Sequence, residues 1–184
     1  MKNTLKLIIV LLAITSSSFA QKNITKNGRI RFYSETPMEK IEAINTQVNS
    51  ALDASTGDFV FKVLIKSFEF ERALMQEHFN ENYMESGKFP NATFSGKISN
   101  LKDINFSKDG IYSATVEGNL TMHGVTKKVT EKGTLEVKGG KIISKATFNI
   151  KPQDYNISIP GAVVAKIAAY IQVNVDATLE KLGT

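Results

Sequence analysis

Two imidazoles, His78 and His123, are the side chains of this sequence most suited to metal or acid–base chemistry. Glu77 and Glu81 stand beside His78, so a metal ligand or a general base can be imagined there. A zinc site needs three or four ligands in a fixed geometry, and no accepted ligand spacing occurs. The chain has no cysteine, which removes thiolate ligands and a Cys nucleophile. Thr121 and Ser158 offer hydroxyls without an evident base. No Gly-x-Ser-x-Gly elbow, phosphate-binding glycine loop or dinucleotide fingerprint is present. Triads can assemble from distant positions, but the lack of a matched nucleophile and base argues against an enzyme. The expectation is therefore no catalytic residue, no metal and no cofactor. His78 is expected to cap or pack a helix, and His123 to sit in an exposed turn before Gly124.

The segments that would position any functional group are strands. In the last one, Ile171, Val173, Val175, Ala177 and Leu179 alternate with Gln172, Asn174, Asp176 and Thr178. That period of two marks a half-buried strand of an antiparallel sheet. Residues 112–122 repeat it, with Tyr112, Ala114, Val116, Gly118, Leu120 and Met122 on one face. Residues 28–33, 58–66, 92–98, 125–137 and 142–150 read as further strands, 58–66 being apolar on both faces for part of its length. Gly-centred turns separate them at Gly57, Gly110, His123-Gly124 and Gly139-Gly140. Residues 36–52 fit two patterns. Thr36-Pro37-Met38-Glu39 resembles a helix-capping box, while Val48, Ser50 and Leu52 alternate. A short helical turn or loop, then a strand from about residue 46, is expected there. Helices are expected over 73–83 and, after Pro160, over 162–169. About eight strands at this density argue for an all-β sandwich or barrel, and eight strands close into a barrel able to hold one small ligand.

Residues 1–20 read as a secretory leader. Lys2 and Lys6 precede an apolar run from Leu7 to Ile14, and Ser18-Phe19-Ala20 supplies the small residues before cleavage. The run is too short for a spanning helix. The expected mature domain is 21–184, periplasmic or secreted, with no stable membrane span. Its core must hold without disulfides. The formal charge of the whole chain is +5, and +3 remains once Lys2 and Lys6 are removed. Lysines this scattered, with arginine only at Arg29, Arg31 and Arg72, do not suggest nucleic acid as a partner.

The inward candidates mix bulk with Ala92, Gly96, Ala114, Gly118 and Ala146. Small residues leave room for a ligand, or they relieve crowding where strands coil around a tight barrel; the sequence allows both.

Two stretches carry a family resemblance. Gly118-Asn119-Leu120-Thr121-Met122-His123-Gly124-Val125-Thr126-Lys127 is similar to the strand–turn–strand motif of the YceI-like, polyisoprenoid-binding family. Met75-Gln76-Glu77-His78-Phe79, followed by Lys88-Phe89-Pro90-Asn91-Ala92-Thr93-Phe94, resembles a second family pattern. Met75 and Gln76 replace its usual Arg-Asp pair, and Asn119 stands where Asp is common. The resemblance implies an eight-stranded antiparallel lipocalin-like β-barrel with one or two short helices and an apolar lumen. It implies a partner that is an apolar small molecule, an isoprenoid, quinone or other lipid. The candidate lining residues are Phe61, Phe94, Ile98, Val116, Leu120, Met122, Phe148, Ile150, Val173 and Val175, all of which could equally be plain core. The competing reading is a filled-core barrel serving as a protein-interaction or envelope-stress module. Exposed sheet edges or helices could mediate a homodimer.

Overall fold

The computed structural model describes residues 22–182; the expected leader over 1–20 lies outside the described residues. The strands are β1 (Lys22–Glu35), β2 (Lys40–Asp53), β3 (Asp58–Leu64), the two-residue β4 (Glu69–Phe70), β5 (Asn91–Ile98), β6 (Gly110–Met122), β7 (Val125–Lys138), β8 (Lys141–Ile150) and β9 (Ile171–Lys181). Every pairing is antiparallel, in the order β1-β9-β8-β7-β6-β5-β3-β2, and a β1–β2 pairing closes the ring. The result is a closed eight-stranded barrel, the one of the two architectures left open by the alternation that the family resemblance implied, with β4 a short flap on β2.

Strand β2 departs from the sequence expectation. It begins at Lys40 without a preceding helical turn. The Thr36 hydroxyl does accept the Met38 and Glu39 amides, at 3.2 and 3.1 Å, but these bonds close the hairpin between β1 and β2. The helical spacing in this stretch comes from a bulge. Gly28 faces Val48, yet Ile30 faces Asn45, so the strand gains a residue between the two. The buried series is consequently Ala43 and Asn45, then Val48, Ser50 and Leu52, a pattern out of phase with itself. Asn45 fixes the irregularity: its side chain donates to the Leu64 carbonyl at 2.9 Å and accepts the Gln47 amide at 2.8 Å.

One helix forms where expected, α1 (Ala73–His78), continuing through a π-helical turn at Phe79–Tyr83. The second expected helix does not form. Residues 162–169 hold only a 3-10 turn at Val164–Lys166. None of those residues is buried, and so short a helix without a packed face is marginal in water. Among the described residues no helix is long and apolar enough to cross a membrane.

Two apolar clusters fill the two ends of the barrel. One gathers Leu52, Phe59, Ile98, Ile104, Ile142 and Leu179. The other gathers Val63, Ile65, Phe68, Met84 and Tyr155, with Phe32, Phe70 and Phe79 packed against it. Phe79 stacks on Phe32 with centroids 5.3 Å apart, so the α1 segment caps that end.

Candidate functional site

Between the two filled ends lies a cavity of about 300 Å³, at the small end of ligand-pocket sizes. Its apolar wall is built from inward positions of seven strands, all of the barrel but β2. Of the residues that the sequence pointed to, Phe61, Phe94, Val116, Leu120, Phe148, Ile150 and Val175 border it. Ile98, Met122 and Val173 do not. Ile98 lies at the far end of β5, in the cluster with Leu52 and Phe59, and Met122 packs against the opposite cluster. Val173 is buried beneath the β1–β9–β8 wall, opposite Phe32 and Phe148 in the ladders. The phase of all three is inward, but Ile98 and Met122 stand at the ends of their strands, outside the cavity. Alternation reports phase and not position along the barrel.

The small residues divide between the two explanations. Ala92, Ala114 and Ala146 border the cavity and leave it room. Gly96 and Gly118 face each other across β5 and β6 because those backbones meet closely. A Cβ on Gly118 would lie 2.5 Å from the Gly96 Cα and 2.5 Å from the Ser95 carbonyl oxygen.

The residues considered for chemistry sit elsewhere. His78 is exposed at the end of α1. His123 belongs to the β6–β7 turn, where it and Gly124 both take positive φ, the type I′ geometry. Its ring is not exposed as expected: it is buried between Phe89 and the Tyr155 backbone. Nδ1–H donates to the Tyr155 carbonyl at 3.0 Å, and Nε2 lies 2.7 Å from a Glu85 carboxylate oxygen. Both nitrogens thus tie the β6–β7 turn to its neighbours. Thr121 shares a 2.8 Å hydrogen bond with the Thr126 hydroxyl, which is not a base. Among the described residues no group of three or more His, Asp or Glu could hold a metal ion.

Sequence reasoning missed the polar edge of the cavity. Strand β7 pairs with β8 only from Gly133↔Ala146 to Lys138↔Lys141. Beyond that point Val125–Lys132 and Thr147–Ile150 diverge, and the wall is split. Residues of both parities border the cavity there: Lys127, Lys128, Val129, Glu131 and Lys132 on β7, and Phe148, Asn149, Ile150 and Lys151 on the other side. In an unbroken sheet only one parity faces the lumen. The 3-10 turn Pro152–Tyr155 crosses the foot of the split, tied down by the His123 bond and by Lys127 and Asp154, 3.6 Å apart.

Glu131 stands on the inner face of this split, opposite Val116 in the ladder. Its phase was legible, because it continues the Val129, Leu135, Val137 series; a charged residue in an apolar series was the signal. Desolvation there raises its pKa above the ordinary glutamate range. The native state then holds this proton to higher pH than the unfolded chain does. Stability contributed by Glu131 is greatest at low pH and falls as pH rises from the ordinary range through the raised value. Glu131→Gln is expected to flatten that part of the stability–pH curve, measured by urea midpoints across mildly acidic buffers. A slope identical to that of the wild-type protein would show that Glu131 is solvated like any surface acid.

The geometry defines a class: a closed antiparallel barrel with an apolar pocket in its lumen. Comparison with known proteins then gives the family. A model of the YceI-like domain matches residues 18–179, and the chain belongs to that family. In structure it is similar to a polyisoprenoid-binding domain from Saccharophagus degradans, with TM-score 0.76 and 12% identity over 89% of this chain and 99% of that one. It is also similar to BcnA of Burkholderia cenocepacia, with TM-score 0.68 and 15% identity over 84% and 96% of the two chains. In sequence it is 34% identical over 85 residues to a UPF0312 protein of Yersinia enterocolitica, a match spanning 43% of this chain and 40% of that protein.

Proposed function

We propose that this protein is an exported carrier holding one apolar or amphiphilic chain, an isoprenoid, quinone or other lipid, in the barrel lumen. The observation that carries the reading is the cavity itself. It lies between two packed clusters, and Phe61, Phe94, Leu120 and Phe148 give it a broad apolar wall. The likeness to a polyisoprenoid-binding domain supports the same reading. Transfer of each methylene from water is worth about 0.8 kcal/mol. A ten-carbon segment therefore gains roughly 8 kcal/mol, a micromolar affinity, before ordering costs. Binding needs no reacting group. A filled-core interaction module would have no use for the void.

The test is to express the full chain in a bacterium and purify it gently from the periplasm. Native mass spectrometry and organic extraction follow. The expected polypeptide begins at Gln21 and carries a long-chain apolar molecule, which Phe148→Asp loses. An empty protein that also fails to take up offered prenyl alcohols, quinones or fatty acids would overturn the carrier reading. A chain retaining residues 1–20 would overturn export with cleavage.

A further inference from the structure

The β7–β8 split is the weakest boundary of the cavity. Leaving through either end of the barrel would displace side chains packed to near-zero exposure, Leu52 and Leu179 at one end and Ile65 at the other. Exposing such side chains gives up their burial from water. Widening the split breaks no β7–β8 ladder bond beyond Gly133; the ties across its foot are the half-exposed Lys127–Asp154 pair and the His123 hydrogen bond to the Tyr155 carbonyl. A half-exposed ion pair and a single hydrogen bond each contribute little beside a packed apolar cluster. The low-energy path to the lumen is therefore lateral, between two strand edges.

The lips of that path are basic. Lys127, Lys128 and Lys132 lie on β7, with Lys151 across from them. Lys127 is paired with Asp154. Lys128, Lys132 and Lys151 have no acidic partner among the described residues, and Glu131 points inward. The separated edges also leave backbone N–H groups facing the gap, since neither lip hydrogen-bonds to the other there. Uncompensated ammonium groups and free amides around an apolar hole are complementary to an anion joined to a hydrocarbon chain.

We propose that the split between β7 and β8 is the doorway of the cavity, and that Lys128, Lys132 and Lys151 hold the anionic head of an amphiphile whose chain lies inside. This rests on the cavity being a lipid site. The head is a carboxylate or a phosphate monoester, chemistries that share negative oxygen acceptors. It stays on the lips, because within the cavity it would meet Glu131 and an apolar wall that could not solvate it.

The experiment has two parts. The protein has no cysteine of its own, so Thr130→Cys/Asn149→Cys places a unique thiol on each lip; these positions would face each other if the β7–β8 register continued. Bridging them with a short bis-maleimide is expected to slow uptake of a fluorescent fatty acid by about tenfold or more, as loss of a low-barrier route requires. The same variant capped with a monofunctional maleimide is the reference. Equal uptake by bridged and capped protein overturns the doorway. In the second part, dodecanoate, dodecyl phosphate, dodecanol and dodecyltrimethylammonium are titrated into wild-type protein and into Lys128→Glu/Lys132→Glu/Lys151→Glu. The wild-type protein is expected to favour both anions over dodecanol by at least about tenfold, the worth of one charge-assisted contact, and to reject the cation. The triple variant is expected to lose that preference. The order of the two anions then identifies the head. Dodecanol bound as tightly as dodecanoate would overturn the head site while leaving the carrier reading intact; no binding of any of the four would overturn both.

Discussion

Gly118→Ala is expected to destabilise the barrel by about 2–3 kcal/mol, the overpacking range, although alanine is ordinarily the better residue in a folded chain. The methyl group would lie 2.5 Å from the Gly96 Cα, 2.5 Å from the Ser95 carbonyl oxygen and 2.9 Å from the Phe94 ring. Two of those three neighbours are backbone, so a rotamer change cannot relieve the contact. The strands must separate, which strains the β5–β6 ladder where Gly96 and Gly118 are paired. Gly96→Ala meets the mirror-image problem, with the Glu117 carbonyl oxygen 2.3 Å from the new Cβ. Because one separation of the strands accommodates both methyl groups, the double variant should lose clearly less than the sum of the two single losses. Urea denaturation of the four proteins measures this. Additive losses would mean that each glycine is confined by different neighbours. A neutral Gly118→Ala would mean that the strands have slack at this crossing.

The same glycines show where the sequence is legible and where it is not. Period-two alternation placed β5, β6, β8 and β9 with their inward faces, because an antiparallel strand with one wet side writes its burial directly into residue type. It read Gly96 and Gly118 as inward and stopped there. Whether a missing side chain marks a void or a close approach depends on the partner strand, which a single segment does not encode. Strand β2 was obscured for a related reason. Its bulge shifts the phase between Asn45 and Val48, and a phase-shifted strand resembles a helix over a few residues. The split between β7 and β8 left a fainter trace. Both strands alternate to their ends, so nothing local records that their pairing stops at Gly133 and Ala146. Only Lys127 and Glu131, charged residues in inward phase, hint that this part of the wall borders solvent. The candidate site was therefore legible as a list of apolar side chains, while its polar opening depended on how two strands diverge in space.

Leu52→Ala is expected to cost about 3–4 kcal/mol, a large share of the 5–15 kcal/mol typical of a whole domain. Leu52 is fully buried among Phe59, Leu135, Ala177 and Leu179, in one of the clusters that seal the barrel, so the truncated side chain leaves a hole that its neighbours cannot close. Val116→Ala also removes apolar atoms, but from a half-buried residue already facing the 300 Å³ cavity. Atoms beside a void have fewer contacts to lose, and the expected cost is about 1 kcal/mol. A ligand makes the contrast sharper. A molecule that binds only the folded protein raises the melting temperature in proportion to the logarithm of its concentration over Kd. Leu52→Ala should lower the melting temperature of the empty protein and preserve the increment that a bound fatty acid adds. Val116→Ala should nearly preserve the first and reduce the second, because part of the chain's apolar contact is gone. Thermal scans of the three proteins with and without dodecanoate distinguish a residue that seals the barrel from one that touches its occupant. If Leu52→Ala removed the ligand increment while Val116→Ala left it whole, the chain would have to enter the Leu52 cluster, and the occupied lumen would extend toward that end of the barrel.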